Sequence, residues 1–319
     1  MKRVMGIDSG GSKTLLALAD TAGRLRLLNT GSTLDPLADT QWSQTLSAML
    51  PAKQLLTTHV SYAVAGLPRY GEDVRQSRRQ AQAISALLPC PTTLENDVRI
   101  AFDGALPGMA GVLILAGTGS MAWASHHQPD SEHIRVGGWG EDIGDEGSAY
   151  WIGNQAIIAT CRHLDGRQAA PALTLYLCQH FAIKPERLIE YYFALGRTRR
   201  QRVASLAQGV AQLAEQGDQP AQHILRQAAQ HLAEHLTTAW RRIGGRGPLT
   251  WSYAGGVFNS RLLRQYLVEI IKNSATAPRL PPIGGALLRA AQQAGWQPDA
   301  TWINQLAEDL QQQLGSVQQ

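Results

Sequence analysis

The feature that most restricts what this chain can become is a pattern that occurs twice. In residues 3 to 30, VMGID leads through SGGS to KTLLALAD, and TAGR then leads to LRLLNTG. Each run is apolar or alternating and each break is a small-residue turn, as antiparallel hairpins require. About 105 residues further on, GVLILA leads through GTGS to MAWAS, and a turn at HQPDSEH leads to IRVGG. The residues hardly match, but the order of strand, turn, strand, turn, strand does. Such a chain has two sheets, each begun by a three-stranded meander, and a structural duplication is the simplest origin. A glycine loop after a first strand also invites a dinucleotide reading, which needs GxGxxG spacing and a loop that opens a helix. Here the loop opens a second strand, and that reading fails.

The rest of the chain fills in around the two meanders. Residues 58–68 read as a strand, 70–88 as a helix, 91–97 as a strand and 98–106 as a helix, with a further helix in the 38–50 region. The first 107 residues therefore run β-β-β-α-β-α-β-α. After the second meander a helical stretch covers about 145–243; LTWSYAGG (249–256) is a strand, a helix starts near 259, and PPIGGALLRAAQQAG opens a late helix. A length of 319 residues favours two domains. The expected division is 1–107 and 108–319, with a helical insert at about 160–245 and the last helices free to pack back on the first lobe.

Composition excludes several classes. A hydrophobic fraction of 44% with 17% charged residues is that of a globular protein. Lysine and arginine exceed aspartate and glutamate by 29 to 25, too small a surplus to imply nucleic-acid binding. The local basic run Arg197, Arg199, Arg200 and Arg202 reads as a solvated helix face. Cys90, Cys161 and Cys178 form no CxxC or CxxH pair, which speaks against a disulfide framework or structural zinc. Lys2 and Arg3 precede only a short apolar stretch cut by Asp8, unlike a signal peptide, and no run reaches the ~18 apolar residues of a membrane span. The expectation is a soluble cytoplasmic protein, with a homodimer as the base-rate assembly.

Three small-residue turns, SGGS (9–12), GTGS (117–120) and AGG (254–256), each follow an apolar strand directly. Glycine allows backbone N–H groups to approach a phosphate, and Ser12, Thr14, Thr118 and Ser120 add hydroxyls. Any one of them could be a plain hairpin turn. Three, two of them in the same strand context, point to phosphate.

With END (95–97), LAGTGS and GGWGEDIGDEGSAYWIG, these turns resemble the N-acetylglucosamine kinase branch of the BadF/BadG/BcrA/BcrD ATPase-like family, in the actin, Hsp70 and sugar-kinase superfamily. The resemblance spans nearly the whole chain and is densest over 95–155. It implies an α/β fold of two ribonuclease-H-like (actin-like ATPase) lobes with a cleft between them, and transfer of the γ-phosphate of ATP to the 6-hydroxyl of an amino sugar. Asp8 would hold Mg²⁺ through water, with Gly10, Gly11, Ser12, Lys13 and Thr14 as the first phosphate loop. The family usually shows DGGGT where this chain has DSGGS. Gly117, Thr118 and Gly119 would face the phosphates, and Gly255, Gly256 and Asn259 the adenosine.

The same resemblance makes Asp97 the general base; on local grounds alone it is as good a helix N-cap. An unperturbed aspartate is ionised at neutral pH and a poor base, which suffices for a loose phosphoryl-transfer transition state. Ser120, Met121, Gly138, Trp139, Gly140 and Asp145 would line the sugar side, Asp145 accepting two hydroxyls. Trp139 could equally be a core aromatic, and Glu141, Asp142 and Glu146 could cap the following helix. Where relatives carry a sugar-contacting asparagine, GSTLDP places Asp35, which accepts but cannot donate. N-acetylglucosamine leads as substrate, with glucosamine, N-acetylmuramic acid and glucose open. An ATPase activator of a 2-hydroxyacyl-CoA dehydratase is the distant alternative, lacking the cysteines an iron–sulfur cluster needs.

Overall fold

The computed structural model describes residues 2–10, 13–36, 40–126 and 133–317. In chain order the elements are β1 (Arg3–Ser9), β2 (Lys13–Asp20), β3 (Leu25–Ser32), α1 (Trp42–Met49), α2 (Lys53–His59), β4 (Val60–Leu67), α3 (Val74–Leu87), β5 (Thr92–Asn96) and α4 (Asp97–Ala105). There follow β6 (Gly111–Ala116), β7 (Ser120–Ser125), β8 (His133–Gly137), α5 (Ala149–Leu164), α6 (Pro171–Phe181), α7 (Leu188–Ala194), α8 (Arg199–Ala204), α9 (Ala207–Glu215) and α10 (Gln219–Arg242). The last elements are β9 (Trp251–Ala254), α11 (Arg261–Ile271), α12 (Pro282–Gln293) and α13 (Ala300–Val317). The helix α2 was not expected; its seven residues, KQLLTTH, are too few to show a helical period and include two β-branched threonines. No helix of the described residues is long and apolar enough to cross a membrane.

Two mixed α/β units result. The first holds a five-stranded sheet of order β3-β2-β1-β4-β5, the second a four-stranded sheet of order β8-β7-β6-β9. Each begins with an antiparallel meander and continues with a parallel strand, β4 beside β1 and β9 beside β6. The twofold pattern in the sequence is thus a twofold topology.

In the first unit, alternate residues of β1 and β2 enter different cores, which is why these strands are apolar almost throughout. Met5, Ile7, Leu16 and Leu18 face Leu46, Leu56 and Ile84 from the helices α1 to α3. Val4, Leu15, Ala17 and Ala19 face Ile283, Ala286, Leu287, Trp302 and Leu306 from α12 and α13. Division by sequence had placed everything after residue 107 in the second lobe, with room for the last helices to pack back. In the structure Ala277–Gln319 lies with the first unit, and Ala110–His126 and Asp130–Thr276 form the second. The reason is that the second face of the first sheet is apolar, and α12 and α13 bury it together with Ile100 of α4. Small residues allow the close fit: a Cβ on Gly285 of α12 would lie 1.9 Å from the Ile100 carbonyl of α4. In the second unit the long α10 supplies Ile224, Leu225, Ala228, Leu232 and Leu236 to a core shared with Val112, Ile114 and Ala122 of the sheet.

Candidate active site

In the first unit β1, β4 and β5 are parallel and adjacent, so their C-terminal ends share one edge. Asp8 is in register with Gly66, and Leu67 with Asn96. That edge is where open α/β sheets bind ligands. The helix cap falls on Asn96: its Oδ1 accepts the Val98 N–H at 3.0 Å, which leaves Asp97 as the first helical residue rather than the cap. Asp8 and Asp97 depart from ordinary aspartates. Burial, opposed only in part by Lys13, pushes Asp8 up to about 7. Burial first, then the charges of Asp8 and Glu72, pushes Asp97 up to about 7 against the pull of the Val98 N–H. The expectation of an ordinary, unperturbed aspartate at Asp97 is therefore revised. Glu72, which sequence reasoning passed over, lies just before the Asp73 cap of α3.

A pair of acids that is costly to ionise suits a divalent cation. Among the described residues no group of three or more His, Cys, Asp or Glu could hold a metal ion. Around the first turn Gly10 N–H donates to the Lys13 carbonyl and Thr33 Oγ1 to the Gly10 carbonyl. Gly11 and Ser12 lie outside the described residues. Thr14 departs from its expected role as a phosphate ligand: it is fully buried and its hydroxyl is engaged by the Ser32 carbonyl at 2.7 Å and Ser9 Oγ at 2.9 Å. Alternation along β2 turns it inward. Asp35 is buried, with Arg69 Nε 3.5 Å from its Oδ2; Arg69 itself sits at φ 60°, a left-handed conformation unusual outside glycine.

In the second unit the GTGS turn rests on the start of α5, whose Ala149 and Tyr150 N–H groups donate to the Gly117 and Thr118 carbonyls. Ser148 caps that helix by accepting the Trp151 N–H, so Glu141, Asp142 and Glu146 are not its caps. Gly255, at φ 105°, packs so that a Cβ would lie 2.3 Å from the Ala116 carbonyl; only glycine brings the third turn beside the second. Gly117, Thr118, Gly256 and Asn259 then line one cavity of about 730 Å³, closed on the helical side by Gln201, Gln208, Gln212 and Glu215. That volume suits a small-molecule ligand, and its one charged lining residue, Glu215, lies on the helical side rather than on the glycine turns.

The loop 138–147 folds over the other edge of the GTGS turn. Met121 packs on Gly138, where a Cβ would lie 2.8 Å from its terminal methyl. Ser120 Oγ donates to the Glu146 carbonyl at 2.7 Å, so its hydroxyl is already committed. A Cβ on Gly140 would meet nothing within contact distance. Trp139 is 71% exposed, which rules out the core alternative. Asp145 is buried, and Arg200 Nη2 lies 2.8 Å from its Oδ2. Arg200 was missed as a site residue, although it belongs to the basic run visible in the sequence; that run is not simply solvated.

The chain is similar to known proteins over most of its length. An N-acetylmuramic acid/N-acetylglucosamine kinase of Clostridium acetobutylicum is 29% identical over 273 residues, 82% of this chain and 87% of that one. An N-acetyl-D-glucosamine kinase of Dictyostelium discoideum is 25% identical over 310 residues, 89% of this chain and 96% of that one. A crystal structure from Chromobacterium violaceum, described as a candidate N-acetylglucosamine kinase, superposes with a TM-score of 0.71 at 25% identity, over 91% of this chain and 99% of that one. The family profile that matches is the BadF/BadG/BcrA/BcrD ATPase family, over residues 5–290. With the paired sheets, the acid pair on the edge of the first and the glycine-lined cavity of the second all in place, the chain belongs to the BadF/BadG/BcrA/BcrD ATPase family.

Proposed function

We propose that this chain is an ATP-dependent amino-sugar kinase that phosphorylates the 6-hydroxyl of N-acetylglucosamine. The observation that carries the reading is Asp97: a carboxylate at the strand edge, which shares the Val98 N–H with the Asn96 cap and is raised to about 7 by burial and its acidic neighbours. A base is most effective with a pKa near the working pH, and Asp97 takes the proton of the sugar hydroxyl as phosphoryl transfer proceeds. The cavity beside Gly117 and Gly256 takes the nucleoside end of ATP, and the small-residue turns approach its phosphates. Asp8 would hold Mg²⁺, which when bound would supply charge neutralisation at the transferring phosphate. Asp145 accepts sugar hydroxyls.

The Asp35–Arg69 ion pair supports the N-acetyl sugar over glucosamine, because a carboxylate already facing a guanidinium attracts a cationic amine less. The test is ADP release from ATP and Mg²⁺ with N-acetylglucosamine, glucosamine, N-acetylmuramic acid and glucose, for wild type and Asp97→Asn. N-acetylglucosamine-dependent turnover that falls 10²-fold or more in the variant, with ADP binding unchanged, is the expected result. No turnover with any of the four sugars would sink the assignment.

A further inference from the structure

The basic run on α8 is turned onto the acidic loop over residues 141–145. Arg199 Nη2 lies 3.5 Å from Asp142 Oδ1, Arg200 Nε lies 3.2 Å from Glu141 Oε2, and Arg200 Nη2 lies 2.8 Å from Asp145 Oδ2. Asp145 sits at φ 57°, which few residues other than glycine adopt, and its side chain is almost wholly buried. Such a position persists only where its surroundings impose it. Gly119 shows how they do so. A Cβ there would lie 2.7 Å from Asp145 Oδ2 and 2.8 Å from Arg200 Nη2, whereas a Cβ on Gly117 would meet nothing. The two glycines of GTGS therefore serve different ends: Gly117 leaves the nucleotide side open, and Gly119 seats the ion pair. The helix that carries Arg200 is fixed in turn, since Val203 is fully buried and its carbonyl would lie 2.0 Å from a Cβ on Gly153 of α5.

We propose that Arg200 is a positioning residue for the sugar, acting through Asp145. Its guanidinium takes up Oδ2 and offsets the mutual repulsion of Glu141 and Asp145, and so holds the aspartate against the Gly119–Ser120 edge. Oδ1, which the Ser120 N–H reaches only at 3.5 Å, is left to accept a sugar hydroxyl. The inference rests on the kinase reading above. It also accounts for an arginine in a region where sequence reasoning saw only solvated charge.

The test is steady-state kinetics of wild type, Arg200→Ala, Arg200→Lys, Gly119→Ala, Asp145→Asn and the double variant Arg200→Ala/Asp145→Asn. Arg200→Ala is expected to raise the sugar KM about 10- to 100-fold and leave the ATP KM within about twofold, because misplacing one binding group costs on that order. Arg200→Lys, which keeps the charge but not the two-pronged contact, falls between. Gly119→Ala, which keeps every charge but crowds the pair, raises the sugar KM in the same direction. In the Asp145→Asn background, losing Arg200 changes the sugar KM less than about threefold, since the two act as one unit. An unchanged sugar KM in Arg200→Ala, an ATP KM that rises in step with it, or full additivity in the double variant would each overturn the proposal. Wild type without sugar-dependent turnover would overturn the kinase reading itself, a result distinct from any of these.

Discussion

At Asp8 and Asp97 the protein keeps two carboxylates where ionising them is costly, and the cost has a sign. Both have folded pKa values raised from 3.8 to about 7, so the folded protein binds protons that the unfolded chain has released. Their contribution to stability is full below about pH 4 and is lost as pH rises through about 7. Metal-free protein should therefore melt at progressively lower temperature from pH 4 to 7, by about 2 kcal/mol per group once solvent screening is allowed for. Asp97→Asn should flatten that slope, and thermal melts across the pH range would show it; an unchanged slope would mean that the acids titrate normally. Activity should rise over the same interval and level off above it, as a base requires. A second single-residue expectation concerns Arg69. Arg69→Ala removes the cation facing Asp35, and the ratio of kcat/KM for glucosamine to that for N-acetylglucosamine should rise about tenfold, or about 1.4 kcal/mol. Competition kinetics with both sugars would detect it, and a constant ratio would show that Asp35 does not read the substituent.

The element that places Asp97 is α4, and α4 is held by α12. Beyond the close approach at Gly285, Arg289 of α12 is buried, with Nη2 2.6 Å from Glu95 Oε1 and Nη1 3.6 Å from Asp103 Oδ2. Arg99, four residues before Asp103 on α4, completes the network at 3.2 Å. Gly285→Ala must push the helices apart, since the new methyl would strike backbone rather than a flexible side chain. It should cost about 3 kcal/mol in urea unfolding and lower kcat by shifting the start of α4. Arg289→Met should be destabilising by a similar amount, because Glu95 and Asp103 would be left facing each other. Little of this was legible beforehand. PPIGGALLRAA reads as a helix from its sequence, but which strand or helix its glycines face depends on residues almost two hundred positions away.

At the scale of the whole chain the first unit is closed by its C-terminal helices. Trp302 of α13 is buried, and its Nε1 donates to the Asp20 carbonyl at 3.2 Å, while Asp309 Oδ2 accepts the Leu25 N–H at 2.8 Å. Trp302→Ala should cost about 3–5 kcal/mol and lower the calorimetric transition of the first unit, leaving that of the second in place. A uniform shift of a single transition would show instead that the units unfold as one. The sequence by itself determined the two meanders, the glycine turns that end their first strands and the acid at each key strand end, because these rest on period, turn chemistry and cap preference within a few residues. It also carried the family, since GTGS and GGWGEDIGDEGSAYW are long, local and specific. Only the tertiary structure decided that Asn96 rather than Asp97 caps α4, that Thr14 turns inward, that Arg200 and Arg69 face Asp145 and Asp35, and that residues 277–319 belong to the first unit. Each of those depends on what packs against a residue from far along the chain, and burial and charge are set by that packing, not by sequence neighbours.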